Sequence, residues 1–294
     1  MILKTENLSK KFGQKHVVNQ VNMQIEKGDI YGFIGKNGAG KTTFMRLILG
    51  LAYPTDGNIE LFGSSDLPKQ RHRIGSLIES PNFYKNCSAY ENMKRFSLLY
   101  GTKDTEIDRL LKMVGLDGVG SKKVSNFSLG MKQRLGLAMA LLGDPEFVVL
   151  DEPVNGLDPV GMKEIRDIIQ QLNQEKGITF LISSHLLDEL SKIATKYGII
   201  NDGRLVEEVS ASDIRKKCTQ MLKISTTDTT RAMECISYHF ADAKIIIENQ
   251  HIVLLNHVDG GAEINQLLLN NGISVIGLEL ISNDLENYFI QKIG

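Results

Sequence analysis

The segment at residues 35–43 has the side chains and the spacing best suited to chemistry. It reads GKNGAGKTT and fits the pattern G-x-x-x-x-G-K-[ST]. Glycines let consecutive backbone N–H groups turn inward toward a polyphosphate, and a following helix adds its N-terminal dipole. Lys41 would neutralise the β- and γ-phosphates, and the Thr42 hydroxyl would bind Mg²⁺. The predicted nucleotide-binding residues of this loop are Gly35, Lys36, Asn37, Gly38, Ala39, Gly40, Lys41, Thr42 and Thr43.

Two carboxylates follow an apolar run at residues 147–150, and they form the second candidate group. Because a buried charge is costly, acids at the end of a strand remain available to a ligand. Asp151 is predicted to hold Mg²⁺, and Glu152 to polarise an attacking water as a general base. Asp-Glu pairs also end ordinary strands, so it is the loop at 35–42 that favours the catalytic interpretation.

His185 follows the apolar run at 179–184. A lone histidine is most often a surface or core residue. At the end of the strand that comes after the acidic strand, it could instead sense the γ-phosphate. Both interpretations stand on the residues alone.

The elements around these residues predict an α/β sheet. Over the first 210 or so residues, short apolar strands alternate with helical patterns. The run at 30–34 indicates a buried strand that leads into the glycine loop and then into a helix ending near Gly50. From about 83 to 143 the periodicity is helical, which predicts a helical subdomain inserted into the sheet domain. An imperfect strand pattern at 18–25 predicts an antiparallel portion.

Residues 218–294 have a different pattern. Short apolar runs and helical patterns occur in the order βαββαβ, which predicts a small ferredoxin-like α+β domain. This region contains no catalytic motif, so a packing or dimerisation appendage is favoured over a ligand-sensing module. The chain is thus predicted to comprise one domain at 1–217 and a second at 218–294.

The composition excludes several classes of protein. The 294 residues are 42% hydrophobic and 23% charged, as in globular proteins that bury a core. Lys plus Arg total 34 against 35 for Asp plus Glu, and this balance disfavours a nucleic-acid partner. Three cysteines without a CxxC pair fit a reducing compartment. No apolar run approaches the ~18 residues of a membrane span, and the N-terminus lacks the apolar core of a signal peptide, so action at a membrane would need a partner.

Together these motifs resemble the ATP-binding subunit of an ABC transporter, over roughly residues 2–215. In that family, residues 35–42 would be the Walker A loop and 147–151 the Walker B strand. The resemblance implies a P-loop ATPase fold that uses ATP and Mg²⁺. It also implies that Glu152 is the catalytic base and His185 the switch histidine.

Two further positions match the family. Phe12 resembles the aromatic residue that stacks on adenine, and residues 155–158 resemble the D-loop. The family hydrolyses ATP as a head-to-tail dimer with two nucleotides at its interface. The resemblance therefore implies a homodimer in the presence of ATP.

The family's signature motif is usually Leu-Ser-Gly-Gly-Gln, and residues 127–131 stand in its place. Ser128 and Gly130 match the motif, whereas Leu129 and Met131 replace a glycine and the glutamine. In the family this motif contacts ATP bound to the opposite subunit, so Ser128 and Gly130 are predicted ATP-binding residues. Ser128 is also a good N-cap, which would turn a helix N-terminus toward the γ-phosphate.

Glu79 stands where the family usually has glutamine, at the end of the strand that enters the helical subdomain. A carboxylate there can take a magnesium or water contact, but it adds negative charge beside Asp151 and Glu152. With the Ser-Leu-Gly-Met-Lys-Gln-Arg run at 128–134, it resembles the bacitracin and lantibiotic export and immunity subgroup. The alternative is a neutral replacement in another exporter.

The resemblance implies an ATP-hydrolysing subunit that powers export of a peptide antibiotic through a separate membrane permease. The permease would dock at the helical region 83–115, on the cytoplasmic face of a bacterial membrane.

An exporter of another substrate is one alternative, and a soluble ABC-type ATPase of translation or DNA repair is a second. Translation ATPases normally carry two cassettes in one chain. Repair ATPases insert a long coiled coil, for which the about 110 residues between Lys41 and Asp151 are too few. A regulatory module that binds ATP without turnover is a third alternative, and the intact Lys41, Asp151, Glu152 and His185 oppose it.

Overall fold

The computed structural model divides the chain into two compact units, Met1–Ala211 with Lys292–Gly294, and Ser212–Gln291. The division falls before residues 212–217, whereas the sequence pattern places the domain boundary after 217. The residues that the structure describes are 1–79, 83–217, 220–282, 288–289 and 292.

The first unit contains two sheets and the helices that connect their strands. The strands are β1 (Leu3–Phe12), β2 (Lys15–Ile25), β3 (Ile30–Ile34), β4 (Asp56–Leu61), β5 (Ile74–Leu77), β6 (Phe147–Asp151), β7 (Thr179–Ser184), β8 (Lys196–Asn201) and β9 (Arg204–Ser210). The helices are α1 (Lys41–Leu49), α2 (Leu67–Gln70), α3 (Ala89–Tyr100), α4 (Asp104–Met113), α5 (Leu129–Ala140), α6 (Pro159–Lys176) and α7 (Leu187–Ser191).

The larger sheet has the strand order β5-β6-β7-β3-β8-β9. Its strands are parallel except for β9, which pairs antiparallel with β8 after the turn at Asp202 and Gly203. Strands β3, β6 and β7 are buried along their whole length, as their continuous apolar runs predict. Since parallel strands end at one edge, the residues that follow β3, β6 and β7 meet there.

The smaller sheet is antiparallel, with the order β2-β1-β4. Its buried side chains, such as Leu8 and Val21, belong to one hydrophobic cluster with Phe44 of α1 and Val149 of β6. Helix α1 is therefore held by packing against both sheets. This arrangement confirms the predicted α/β fold with an antiparallel portion.

A partly buried hydrogen bond links β3 to β9. The Tyr31 hydroxyl donates to Glu208 at 2.8 Å, and a Cβ at Gly198 would lie 2.1 Å from that hydroxyl oxygen. Burial raises the pKa of Tyr31 well above its ordinary value, so the phenol stays protonated and remains a donor. Glycine at 198 thus leaves room for the side chain that anchors the strand before the phosphate-binding loop.

Helices α3, α4 and α5 lie between β5 and β6 in the chain, in the segment predicted to be helical. Ser88 and Glu91 form a capping box at the start of α3. Strand β5 runs so close to α5 that a Cβ at Gly75 would lie 1.8 Å from the Ala140 carbonyl oxygen. The helical subdomain is thus joined tightly to the edge of the larger sheet.

The second unit has the predicted βαββαβ order. Helix α8 (Ala211–Lys217) precedes β10 (Gln220–Thr226), α9 (Thr229–His239), β11 (Ile245–Glu248), β12 (His251–Leu254), α10 (Gly261–Asn270) and β13 (Val275–Ser282). The sheet order is β11-β12-β10-β13 with every pair antiparallel, which is a ferredoxin-like topology. Its core is a separate cluster that includes Ile224, Ile236 and Leu268.

Across the described ranges, no helix combines the length and the apolar character needed to cross a membrane.

Candidate nucleotide-binding site

The loop between β3 and α1 has a backbone that requires glycine. Gly38 and Gly40 have φ angles of 83° and 109°, in the left-handed region. A Cβ at Gly35 would lie 2.4 Å from the Ile200 carbonyl oxygen, and one at Gly40 would lie 2.4 Å from the Val17 carbonyl oxygen. The tight turn therefore depends on these glycines, and it brings the loop to the N-terminus of α1.

Lys41 is the first residue of α1, and it is only 6% exposed. Its ammonium donates to the Gly35 carbonyl oxygen at 2.6 Å and lies 3.5 Å from Glu152 Oε1. The positive charge of Lys41 thus lies between the glycine loop and the Glu152 carboxylate.

A cleft of about 220 Å³ opens over this loop. Its lining residues are Val17, Lys36, Asn37, Gly38, Gly40, Lys41, Thr42, Thr43, Glu152 and Asn155. Gly35 and Ala39 do not line the cleft. The Gly35 carbonyl oxygen accepts from the Lys41 ammonium, and the Ala39 carbonyl oxygen accepts from the Gly203 N–H at 3.0 Å. Sequence reasoning missed Val17, because a valine in a strand carries no chemical signal.

The Asp151 carboxylate ends β6 and has a donor on each oxygen. The Thr42 hydroxyl donates to Oδ2 at 2.7 Å, and the Ser183 hydroxyl donates to Oδ1 at 2.5 Å. The side chain is buried, and these two hydrogen bonds offset the cost of burying its charge. Asp151 and Thr42, two of the predicted metal ligands, thus lie side by side.

Glu152 is the next residue, and its backbone turns sharply out of the strand with φ of 50°. The turn directs Oε1 toward Lys41 and Oε2 toward His185, whose Nδ1 donates at 2.7 Å. Both predicted catalytic residues and the loop lysine therefore meet in one cluster. This cluster can hold a polyphosphate on one side and a water beside a carboxylate on the other.

Phe12 and Glu79 lie apart from this cluster. Phe12 is 56% exposed at the end of β1, and the Lys10 ammonium lies 5.1 Å from its ring centroid. Glu79 forms an ion pair with Arg46, one turn along α1 from Thr42. Neither side chain lines the cleft.

The signature residues contact the D-loop of the same chain. The Ser128 hydroxyl caps α5 by accepting from the Met131 N–H at 3.2 Å. A Cβ at Gly130 would lie 3.7 Å from Leu157, and one at Gly156 would lie 3.1 Å from Leu129. Leu129 and Gly130 therefore lie beside the D-loop, and neither Ser128 nor Gly130 lines the cleft.

The fold and the site define an ATP-binding cassette built on a phosphate-binding loop. A family model described as ABC transporter matches residues 18–155. A second model, described as AAA domain, putative AbiEii toxin, Type IV TA system, matches residues 120–191. The second match covers helix α5 and strands β6 and β7.

Bacterial relatives match over most or all of the chain. The bacitracin transport ATP-binding protein BcrA of Bacillus licheniformis is 41% identical over 298 residues, covering 100% of this chain and 97% of that protein. The lantibiotic transport ATP-binding protein SrtF of Streptococcus pyogenes is 45% identical over 207 residues, covering 70% of this chain and 90% of that protein. This chain therefore belongs to the ATP-binding subunits of ABC transporters, and its activity is ATP hydrolysis.

Solved structures agree with this assignment. An ATP-binding subunit of an ABC transporter is 28% identical, with a TM-score of 0.66 over 74% of this chain and 93% of that chain. A dimeric ATP-binding cassette, solved in a post-hydrolysis state with ADP and phosphate, is 25% identical, with a TM-score of 0.65 over 71% of this chain and 99% of that chain. The predicted family, fold class and enzymatic activity are confirmed.

Proposed function

We propose that this chain binds MgATP in the cleft over residues 35–43 and hydrolyses it with Glu152 as the general base. The observation that carries the proposal is the cluster in which Glu152 lies 2.7 Å from His185 and 3.5 Å from Lys41. A water between the γ-phosphate and Glu152 would lose its proton to the carboxylate as it attacks phosphorus, and ADP would leave. His185 would hold the carboxylate in place and support the γ-phosphate.

The residues at the end of β6 fit Mg²⁺. Among the residues that the structure describes, no group of three or more His, Cys, Asp or Glu side chains could hold a metal ion alone. Magnesium commonly takes one or two protein oxygens together with phosphate oxygens and water. The Thr42 hydroxyl and the Asp151 carboxylate supply such oxygens, and bound Mg²⁺ would neutralise charge on the phosphates.

We also propose roles for the two predicted residues outside the cluster. The exposed ring of Phe12 is accessible to a stacked adenine, and Lys10 beside it adds a cation near the base. Glu79 would take a water or magnesium contact, in exchange for its ion pair with Arg46. Both roles rest on the family resemblance and on exposure rather than on a contact within the cleft.

Two copies of the chain would close head to tail on ATP. The dimeric cassette among the similar structures supports this assembly. Ser128 and Gly130 of one copy would then complete the site over Lys41 of the other copy. Because ATP would bind the closed pair more tightly than the open pair, binding and hydrolysis would shift the conformation of a membrane partner.

The transported substrate is proposed to be a peptide antibiotic. The relatives named for bacitracin transport and lantibiotic transport support this class of substrate. Their names also support a transport partner, so we place the protein at the cytoplasmic face of a bacterial membrane, bound to a permease through its helical subdomain. An exporter of another substrate is the alternative within the same family.

Hydrolysis is tested with Glu152→Gln in the full-length protein. The amide retains the size of the side chain but cannot accept a proton, so we expect at least about a hundredfold loss of kcat with ATP binding retained. The matched control is Glu175→Gln, on the exposed face of α6, which should keep wild-type turnover. Near-normal hydrolysis by Glu152→Gln would contradict the assignment of the base.

The partner and the substrate are tested in the native host. Tagged Glu152→Gln, purified from membranes in mild detergent with ATP, should bring down a multi-span membrane protein in stoichiometric amount. Deletion of the gene should sensitise the host to bacitracin or a lantibiotic but not to an unrelated inhibitor of translation. Recovery of ribosomes or DNA-repair proteins instead would favour the soluble alternatives.

A further inference from the structure

A buried serine at the end of β7 contacts both acids of the site. Strand pairing places Ser183 directly beside Asp151, and Ser183 is fully buried. We propose that Ser183 is a positioning residue for hydrolysis, whose hydroxyl holds the Asp151 carboxylate and the Glu152 backbone at the same time. The inference rests on the proposed roles of these two acids.

One hydroxyl makes both contacts. Its hydrogen is donated to Asp151 Oδ1 at 2.5 Å, and its oxygen accepts from the Glu152 N–H at 3.0 Å. Since Thr42 occupies Oδ2, the carboxylate is held from two sides and cannot rotate freely. Oδ2 of Asp151 is thereby kept facing Thr42 of α1.

The second contact supports an unfavourable backbone conformation. A φ of 50° is uncommon for a residue with a Cβ, so the turn at Glu152 must be held by its surroundings. The Glu152 N–H donates to both the hydroxyl and the carbonyl oxygen of Ser183, at 3.0 Å and 3.2 Å. This turn directs the Glu152 side chain to Lys41 and His185. Ser183 therefore positions the acid that holds the metal and the acid that activates water.

The neighbouring serine provides a matched control. Ser184 is also buried, but its hydroxyl accepts from the Leu186 N–H at 2.9 Å and so stabilises a local turn. Neither acid is its partner in that hydrogen bond. Both serines are buried in the same strand, where consecutive side chains face opposite sides of the sheet, so replacing either with alanine removes the same hydroxyl group from a buried position.

The test compares Ser183→Ala, Ser183→Thr and Ser184→Ala in the full-length protein. We expect Ser183→Ala to lower kcat about tenfold, which is the loss typical of one hydrogen bond to a charged group. Binding of Mn²⁺, measured by electron paramagnetic resonance with a non-hydrolysable ATP analogue, should weaken several-fold. ATP binding in EDTA should be unchanged, because it does not depend on Asp151. Ser183→Thr keeps the hydroxyl and should restore both quantities, and Ser184→Ala should remain near wild type.

The outcomes separate this inference from the proposed catalytic roles. If Ser183→Ala has wild-type kcat and wild-type Mn²⁺ affinity, the positioning role of Ser183 is overturned. A loss of turnover in Glu152→Gln would still support Glu152 as the general base in that case. If Ser183→Ala loses both thermal stability and ATP binding in EDTA, Ser183 has a structural role only. That result would also overturn the positioning role. If Glu152→Gln keeps its turnover, the failure belongs to the proposed function.

Discussion

At the scale of single residues, chemistry at this site depends on which group each polar atom faces. Lys41 is held between a loop carbonyl and Glu152, and Asp151 is held between two hydroxyls. These contacts orient charges before a ligand arrives, which lowers the cost of reorganisation during the reaction. Small residues matter as well, because a glycine without a Cβ lets two backbone segments approach more closely than any other residue would.

The contact between the signature residue Leu129 and the D-loop residue Gly156 gives a prediction. Gly156→Ala adds a Cβ at a φ of 74° and at 3.1 Å from Leu129, so it should cost roughly 2–3 kcal/mol of unfolding free energy. Adding Leu129→Ala should recover the steric part of this cost. Denaturant unfolding of the single and double variants measures the coupling.

The control for this cycle is Gly177→Ala. Gly177 has a φ of 66° but nothing within 4 Å of a Cβ, so the substitution should cost only the strain, about 1 kcal/mol. Leu129→Ala should not change that cost. Equal coupling of Leu129 with both glycines would mean that the signature residue does not contact the D-loop.

At the scale of elements, two features shape the helical subdomain. The close approach of β5 to α5 joins it to the larger sheet, and the capping box starts α3. The first feature depends on the absence of a side chain at Gly75, and the second depends on the charged Glu91 side chain that accepts from a backbone N–H.

Substitution of Gly75 tests the joint between β5 and α5. A Cβ there would lie 1.8 Å from the Ala140 carbonyl oxygen, so Gly75→Ala must separate the two elements. We expect a loss of about 3 kcal/mol or more in unfolding free energy, measured by urea denaturation. The control is Gly118→Ala, since a Cβ at that position meets nothing within 4 Å. A loss in Gly75→Ala no larger than in Gly118→Ala would contradict the close approach.

The capping box of α3 predicts a dependence on pH. The Ser88 N–H donates to the Glu91 carboxylate at 2.7 Å and lowers the pKa of Glu91 below its ordinary value of 4.5. A lowered pKa means that the carboxylate stabilises the fold above its unfolded pKa, and that this contribution is lost as the pH falls through the folded pKa. The melting temperature of Glu91→Gln should therefore be below wild type at neutral pH, and the gap should close in acid. A gap that stays constant between pH 7 and pH 3 would contradict this origin.

At the scale of the whole molecule, the chain comprises two units with separate hydrophobic clusters. The proposed site is built entirely from the first unit, since its residues lie between Phe12 and His185. The relative SrtF matches 70% of this chain while covering 90% of its own length. The 207 aligned residues therefore make up nearly all of SrtF.

Truncation tests this division. A chain that ends at residue 217 should fold and bind ATP with a Kd within about threefold of the full-length value, since the described site and its core lie in the first unit. Fluorescent-nucleotide titration and circular dichroism measure the two properties. A truncated chain that is unfolded, or that has lost ATP binding, would show that residues 218–294 are required for the cassette itself.

Much of the fold and of the site could be predicted because the signals are local. The loop pattern at 35–42, the run of buried residues before it and the cap at Ser128 each depend on neighbours within a few positions, which sequence spacing records directly. The βαββαβ order at 218–294 follows from the same kind of periodicity. The acids were predicted at the end of β6 because charge avoids the interior of a buried strand.

Only the tertiary structure decided which distant residues meet. Ser183 faces Asp151 because β6 and β7 pair in one register, and no pattern within either strand specifies that register to the residue. The pairing of Glu79 with Arg46, the place of Val17 in the cleft and the exposure of Phe12 likewise depend on packing between elements. The sequence by itself thus determined the chemical groups and their order along the chain. The packing of both sheets against α1 decided the distances between these groups. Hydrophobic burial depends on contacts between residues from the whole unit, and spacing along the chain does not record those contacts.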